Sequence, residues 1–268
     1  MIRAALAAGT LKPGMSILDA SSGNMACSIA LLARILNHRA TLVVSSKLTD
    51  DKRNYLRYYG ASIVQIGDFT IDGNRYCREL VKSDDGQYLF LDQLHNWANP
   101  QAHLESTGPE ILGSVPDVSM IVGSLGSGGT LYGTALYAKR QSASVSIVAV
   151  QAASGSRIPG VGGFDDGDYV TPFIEKGRRD CLFDHTYLAS ERDAMRRTAE
   201  LRDEGIFVGL QTGAVLHAAI DIATSLSASG NIVIISGDSG WKSLSKLLGQ
   251  APAFRNEDHP SIDIDCTN

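Results

Sequence analysis

The sequence predicts an α/β protein of two lobes, each a parallel-type sheet covered by helices. Three observations carry that expectation. Short apolar runs alternate with helix-period segments along most of the chain, the runs are continuously apolar, and glycine-bearing turns stand where runs give way to helices. Continuously apolar strands are buried on both faces, and the helices between them bring successive strands back parallel.

The elements follow in order. Met15 to Ala20 reads as a first strand and Met25 to Leu36 as a helix rich in Ala and Leu. Ala40 to Val44 is a second strand, and a helix from about Asp50 to Tyr59 stops at Gly60. Ser62 to Ile66 is a third strand and Ile71 to Lys82 a third helix. A second series begins near Trp97, with strands at Met120 to Gly123, Val145 to Val150 and Ile232 to Ile235. Helices are expected at Thr130 to Arg140, Ser190 to Glu204 and Ala214 to Ser225, and an irregular Gly- and Asp-rich stretch runs from Ala152 to Asp180. The two series meet near residues 95–100. This places a smaller lobe over 1–98, a larger one over 99–249, and a solvated acidic tail over 250–268.

Composition narrows the function classes. The 268 residues are 44% apolar and 20% charged, with 27 Gly and 8 Pro, which is ordinary globular usage. A net charge of −5 argues against general nucleic-acid binding, which normally needs a basic face. No apolar run reaches the roughly 18 residues a membrane span requires, and the short apolar N-terminus running into Lys12-Pro13-Gly14 does not read as a signal peptide. Cys27, Cys77, Cys181 and Cys266 are widely spaced, as in a cytoplasmic protein with reduced thiols. The six histidines show no metal-ligand spacing, so no metal site is expected.

Three turns stand where ligands of open α/β sheets bind, beyond the C-terminal ends of strands. Ser21-Ser22-Gly23-Asn24 offers hydroxyls, an amide and backbone N–H groups at a helix start, which suits a carboxylate or simply caps the helix. Gly126-Ser127-Gly128-Gly129-Thr130 carries more glycines than a plain tight turn needs and favours a phosphate cradle. It matches neither common nucleotide-binding glycine motif, and no lysine follows it. Ser236-Gly237-Asp238-Ser239-Gly240 places polar side chains after a strand, although this is also a common turn composition.

Taken together and in order, these turns resemble the fold-type II pyridoxal-phosphate (PLP) enzymes of the cysteine synthase family, from residue 1 to about 249. Leu11-Lys12-Pro13-Gly14 leading to Ser22-Gly23-Asn24 is similar to the family's L-K-P-G and T-S-G-N segments, and Gly126 to Thr130 to its G-[TS]-G-G-T loop. Asn96 to Ile111 resembles the segment joining the lobes, and Glu204 to Ala214 the E-G-I stretch. Asp193 to Thr198, Gly213 to Ala219 and Gly240-Trp241-Lys242 look nearest to the cysteine synthase B branch.

The resemblance implies that Gly126, Ser127, Gly128, Gly129 and Thr130 hold the cofactor's phosphate, Asn24 its ring hydroxyl oxygen, and Ser239 the pyridine nitrogen. It implies that Ser21, Ser22, Gly23 and Asn24 bind a substrate carboxylate with Gln93 nearby; the plainer reading of Gln93 is a satisfied core amide. The implied activity is β-replacement or β-elimination on an O-acetyl- or O-phosphoserine type of substrate, giving cysteine or a related β-substituted alanine.

The family's Schiff-base lysine lies in an S-x-K-[DC]-R segment that, counted back from Asn24, falls before Met1. No catalytic lysine is therefore expected within these residues. Lys12, Lys47 and Lys52 fall on loop or exposed helix positions, and Lys242 on a helix past the third turn. Met25 stands where the family has Thr, and Leu210-Gln211 where it has Ile-Ser. An alternative expectation is a homologue without the lysine that binds PLP or an amino acid noncovalently, as a sensor, scaffold or partner subunit. A homodimer, or a partner chain supplying the front segment, is the implied assembly.

Overall fold

The computed structural model describes residues 1–83, 86–226 and 229–248. The tail at 250–268 and Cys266 lie outside the described residues. The first half of the chain runs α1 (Ile2–Ala7), β1 (Ser16–Ala20), α2 (Asn24–Ile35), β2 (Arg39–Val44), α3 (Asp50–Tyr58), β3 (Ser62–Gln65), α4 (Thr70–Lys82) and β4 (Tyr88–Phe90). The second half begins with α5 (Ala98–Ala102), α6 (Gly108–Ser114), β5 (Val118–Ser124), α7 (Gly129–Gln141) and β6 (Ser146–Ala152). It continues with α8 (Pro172–Arg179), β7 (His185–Ala189), α9 (Glu191–Asp203), α10 (Leu210–Leu226), β8 (Asn231–Ile234) and α11 (Leu244–Leu248).

The strands form two all-parallel sheets, ordered β3-β2-β1-β4 and β7-β6-β5-β8. The two share one design. From β1 the chain steps outward to β2 and β3, then returns to lay β4 on the other side of β1; β5, β6, β7 and β8 repeat the pattern. The order therefore reverses at β1 and at β5, and the turns leaving those two strands open at topological switch points, where a crevice forms between diverging loops.

Burial explains why the strands carry no polar alternation. In β1 and β2, Ile17, Leu42 and Val44 face Ala26, Ile29, Ala30 and Ala33 of α2, while Leu18, Ala20 and Val43 face Cys77 of α4. In the second sheet, Met120, Val122, Val148 and Val150 pack with Leu210, Ala214, Val215 and Ala218 of α10. Ile121, Ile147 and Ala149 pack on the other face with Leu131 and Ala135 of α7 and Phe173 of α8. Each fully buried aliphatic side chain removes apolar surface from water worth about 2 kcal/mol, so residues of both strand parities hold the layers together. The alanines of α2 let its backbone settle close to the sheet, which fixes where its N-terminus points.

The structure adds elements where the sequence was read as irregular. α8 lies inside the Gly- and Asp-rich stretch; Pro172 opens it, and Thr171 caps it by accepting from the Ile174 N–H at 3.4 Å. β7 is an edge strand with largely exposed residues, so it lacks the apolar signature of its neighbours. β4 spans only Tyr88–Phe90. α5 and α6, joined through His103–Thr107, pack against α7, with Asn99 lying over Gly129 and the Pro100 carbonyl over Gly133. No described helix is long and apolar enough to cross a membrane.

Candidate active site

The turn after β5 presents backbone N–H groups at the start of a helix. Gly128 takes a φ of 81°, a left-handed conformation that glycine adopts without strain, and stands as N-cap of α7. The turn is closed from behind: a Cβ on Gly126 would lie 2.8 Å from the Gly160 carbonyl oxygen, and one on Gly129 would collide with the Asn99 side chain. Asn99 donates to the Ser127 hydroxyl at 3.2 Å and to the Gln93 carbonyl at 2.9 Å, while Thr171 donates to the Ser127 carbonyl at 2.6 Å. Thr130 shares a 3.0 Å hydrogen bond with His103, whose imidazole pKa is lowered by burial. At the start of α7 only the Gly129 amide is engaged, by Ser127 Oγ at 3.4 Å; those of Gly128, Thr130 and Leu131 have no partner among the described residues. Gly128 and Leu131 are buried, and orphaned buried donors at a helix N-terminus call for an anionic ligand.

The turn after β1 is organised differently from the expectation of free hydroxyls. Ser21 Oγ accepts the Gly23 and Ala26 N–H groups at 3.2 and 3.3 Å, and Ser22 Oγ accepts the Ser45 N–H at 2.7 Å. Both serines hold the turn in shape, and what it presents outward is the Asn24 side chain and the first amides of α2. Gln93 is the satisfied core amide of the plainer reading, donating to the Ala20 carbonyl at 2.7 Å. Beneath the turn lies Asp19, fully buried. Its Oδ1 accepts the Ala20 N–H at 2.8 Å and its Oδ2 has no partner; burial pushes its pKa up to about 8.

The turn after β8 joins the other two. Asp238 accepts the Gln211 and Thr212 N–H groups, each at 3.0 Å, and the Thr212 hydroxyl at 2.7 Å, capping α10 from outside the helix. Ser239 is half-buried beside it and bridges to Val208. Gln211 then crosses the junction: its amide donates to Ser124 Oγ at 2.5 Å and accepts from Asn24 Nδ2 at 3.3 Å. Asn24 Nδ2 also donates to the Gly237 carbonyl at 2.8 Å. Gly160 and Gly237 make room for that amide, since a Cβ on either would come within 2.9 or 2.8 Å of Gln211 Oε1.

Thus Asn24, the glycine turn and the Ser239 turn come together at one junction, while Ser21, Ser22 and Gln93 turn inward as supports. Gln211, which stands where the family has Ser, is the residue that sequence reasoning misses, because its role rests on Asn24 and Ser124, both remote in sequence. Lys52 requires a correction. It is not on an exposed helix position but only 7% exposed, because α3 turns it inward to line the cleft with Gly23, Asn24, Pro159, Gly160, Asp238, Lys242 and Ser243.

Two parallel sheets joined through the turns that leave their strands, with buried, unpartnered amides at the start of α7, fit an α/β protein that holds an anionic cofactor. The chain belongs to the pyridoxal-phosphate dependent enzyme family, whose model matches residues 1–238. It is 32% identical over 237 residues to cysteine synthase B of Pseudomonas aeruginosa, covering 88% of this chain and 78% of that one. It is 30% identical over 241 residues to cysteine synthase B of Escherichia coli, covering 88% and 77%. It superposes on O-acetyl serine sulfhydrylase isoform 3 of Entamoeba histolytica with a TM-score of 0.79 at 26% identity, covering 94% of this chain and 77% of that one. The orphaned amides of Gly128, Thr130 and Leu131 fit the phosphate of pyridoxal phosphate, the cofactor of this family.

Proposed function

We propose that this chain carries out PLP-dependent β-replacement on an O-activated serine of the O-acetyl or O-phospho type, giving cysteine or a related β-substituted alanine. The observation that carries the reading is the joining of the three turns: Asn24, leaving β1, donates to Gly237 O, leaving β8, and to Gln211, which in turn donates to Ser124 at the end of β5. The names borne by the relatives, cysteine synthase B and O-acetyl serine sulfhydrylase, support the substrate class.

In this reading the lobes over 1–98 and 99–249 close on the cofactor. Gly126, Ser127, Gly128, Gly129 and Thr130 hold the phosphate, through the helix dipole as well as the amides. Asn24 addresses the ring hydroxyl oxygen and Ser239 the pyridine nitrogen. A hydroxyl there is a neutral partner, which favours elimination and replacement over transamination. Bound so, the cofactor supplies an electron sink for loss of the substrate Cα proton and β-substituent. Ser21, Ser22 and Gly23 shape the turn whose outward amides at Asn24 and Met25 take the substrate carboxylate, and Gln93 braces that turn from below. Neutral His103 holds Thr130 in place. In this reading the activity is cytoplasmic and the assembly is a homodimer or a complex with a partner chain, which light scattering on the purified chain, alone and with the partner, distinguishes.

The test is to supply PLP and sulfide with O-acetyl-L-serine or O-phospho-L-serine and follow cysteine formation, with PLP binding followed separately by fluorescence. Cysteine formation that is lost in Gly128→Ala is the expected result. A chain that binds no PLP sinks the cofactor reading. One that binds PLP without turnover sinks the β-replacement reading and favours noncovalent binding.

A further inference from the structure

His103 stands between two threonine hydroxyls. Its Nε2 shares a 3.0 Å hydrogen bond with Thr130 Oγ1 at the start of α7, and its Nδ1 a 2.9 Å bond with Thr107 Oγ1. Neither hydroxyl has a second hydrogen bond among the described residues, so the three side chains form one unbranched row. The backbone builds it. His103–Thr107 is a single π-helical turn between α5 and α6, of the kind that recurs at functional sites. It lies against α7 because Gly133 carries no side chain: a Cβ there would collide with the Pro100 carbonyl and lie 2.9 Å from His103 Cβ.

Counting protons gives this row a direction. A neutral imidazole has one N–H and one lone pair, so of the two hydroxyls beside it one donates and the other accepts. In one arrangement Thr130 donates to Nε2, and its oxygen lone pairs are what it offers a ligand. In the other Thr107 donates to Nδ1, Nε2–H donates to Thr130 Oγ1, and the Thr130 proton is left for the ligand. A third state, with protons on both nitrogens, is disfavoured because burial lowers the His103 pKa.

Without a ligand the first two arrangements are equivalent, since each satisfies both ring nitrogens and leaves one hydroxyl proton without a protein partner. An anion beside Thr130 breaks the tie. The second arrangement then adds a charge-assisted O–H···O⁻ bond, whereas the first sets oxygen lone pairs against negative charge.

We propose that Thr107 is a positioning residue for the cofactor phosphate, acting through His103 to aim the Thr130 proton at the bound anion, so that loading the site selects the Nε2–H tautomer of His103. This rests on the reading that Thr130 holds the phosphate. The row orients a proton and transfers none. Thr107 makes no hydrogen bond to Gly126–Thr130 among the described residues, so its hydroxyl reaches the ligand only by way of the imidazole.

The test follows His103 by nitrogen NMR in the full chain carrying isotope-labelled histidine, where the two tautomers and the imidazolium give distinct spectra. The His103 signals are those missing from His103→Gln. Spectra are taken without ligand and with PLP at saturation. A mixture of tautomers is expected without ligand, moving to Nε2–H alone on loading. Thr107→Val should weaken PLP binding about two- to tenfold, the loss expected for one neutral hydrogen bond, and return loaded His103 to the mixture. Thr107→Ser keeps the hydroxyl and should behave as the native chain; thermal melts establish that both variants fold. A purely structural role for Thr107 would not change the tautomer.

A loaded chain with the His103 proton on Nδ1, or on both nitrogens, overturns the proposal. So does a folded Thr107→Val that binds PLP as tightly as the native chain. A chain that takes up no PLP by fluorescence sinks the cofactor reading and this one with it. One that takes up PLP with the His103 spectrum unchanged sinks the positioning role alone.

Discussion

The side-chain amide of Asn24 donates to Gln211 Oε1 across the junction of the two sheets, joining residues 187 positions apart in sequence. Gln211 in turn donates to Ser124 and lies against Gly160, so one glutamine ties the end of β5, the Gly160 loop and the start of α2 together. The same amide fills the space among residues assigned to the cofactor ring. Gln211→Ala is therefore expected to tighten PLP binding several-fold while loosening the junction, visible as a lower PLP dissociation constant and faster proteolysis of the ligand-free chain. Unchanged PLP affinity would show that Gln211 does not compete with the ring.

Gly128 combines a left-handed backbone with a Cβ position that falls on Ile174 Cγ1. Gly128→Ala is expected to cost about 1–3 kcal/mol from the strained conformation alone, with PLP binding lost in the folded fraction. Urea unfolding and fluorescence titration separate the two effects.

Asp238 caps α10 through three donors, and a Cβ on Gly209 would collide with its carboxylate. Asp238→Ala should destabilise the chain by about 1–2 kcal/mol, the usual range for loss of a helix cap. Hydrogen exchange at the Gln211 and Thr212 amides should rise more than at the C-terminal turns of α10. Uniform exchange changes along α10 would count against the capping role.

Asp19 sets a pH dependence. Its carboxyl keeps a proton in the folded chain up to about 8, against 3.8 for an ordinary aspartate. The stability this proton supports is complete below the ordinary value and is lost as pH rises through about 8. The cost on full ionisation is on the order of 5 kcal/mol, at about 1.4 kcal/mol per pKa unit. Asp19→Asn keeps the neutral shape and removes the titration, so its melting temperature should hold while that of the native chain falls across this window. Parallel melting curves for the two would refute the assignment.

Most of the sheet framework was legible because β1, β2, β5, β6 and β8 are apolar runs, and α2, α3, α4, α7, α9 and α10 have helix periodicity. What escaped has physical reasons. β7 lies at an edge and is largely exposed, β4 is three residues long, and α8 hides among glycines and acids behind a Thr171 cap. At the site, glycine density revealed the cradle at Gly126 to Thr130. The state of each hydroxyl was not legible: Ser21 is turned inward by the Ala26 N–H, five positions on, and Ser22 by the Ser45 N–H, 23 positions on. Lys52 and Gln211 gain their meaning from Asp238, Lys242 and Ser124, none of them near in sequence.

The matching orders of the two sheets also bear on how the chain reaches its final form. Each sheet is assembled from one uninterrupted stretch, strands at 16–90 in one and 118–234 in the other, so each half closes its own loops without waiting for its neighbour. The stacking of Trp241 on Tyr55, with ring centroids 4.5 Å apart, and the Ser245 to Asp51 hydrogen bond tie the segment after β8 back onto α3. That clasp spans most of the chain and depends on both halves being formed. Its long loop closure puts the forming of the clasp after that of the two sheets in the order expected on refolding.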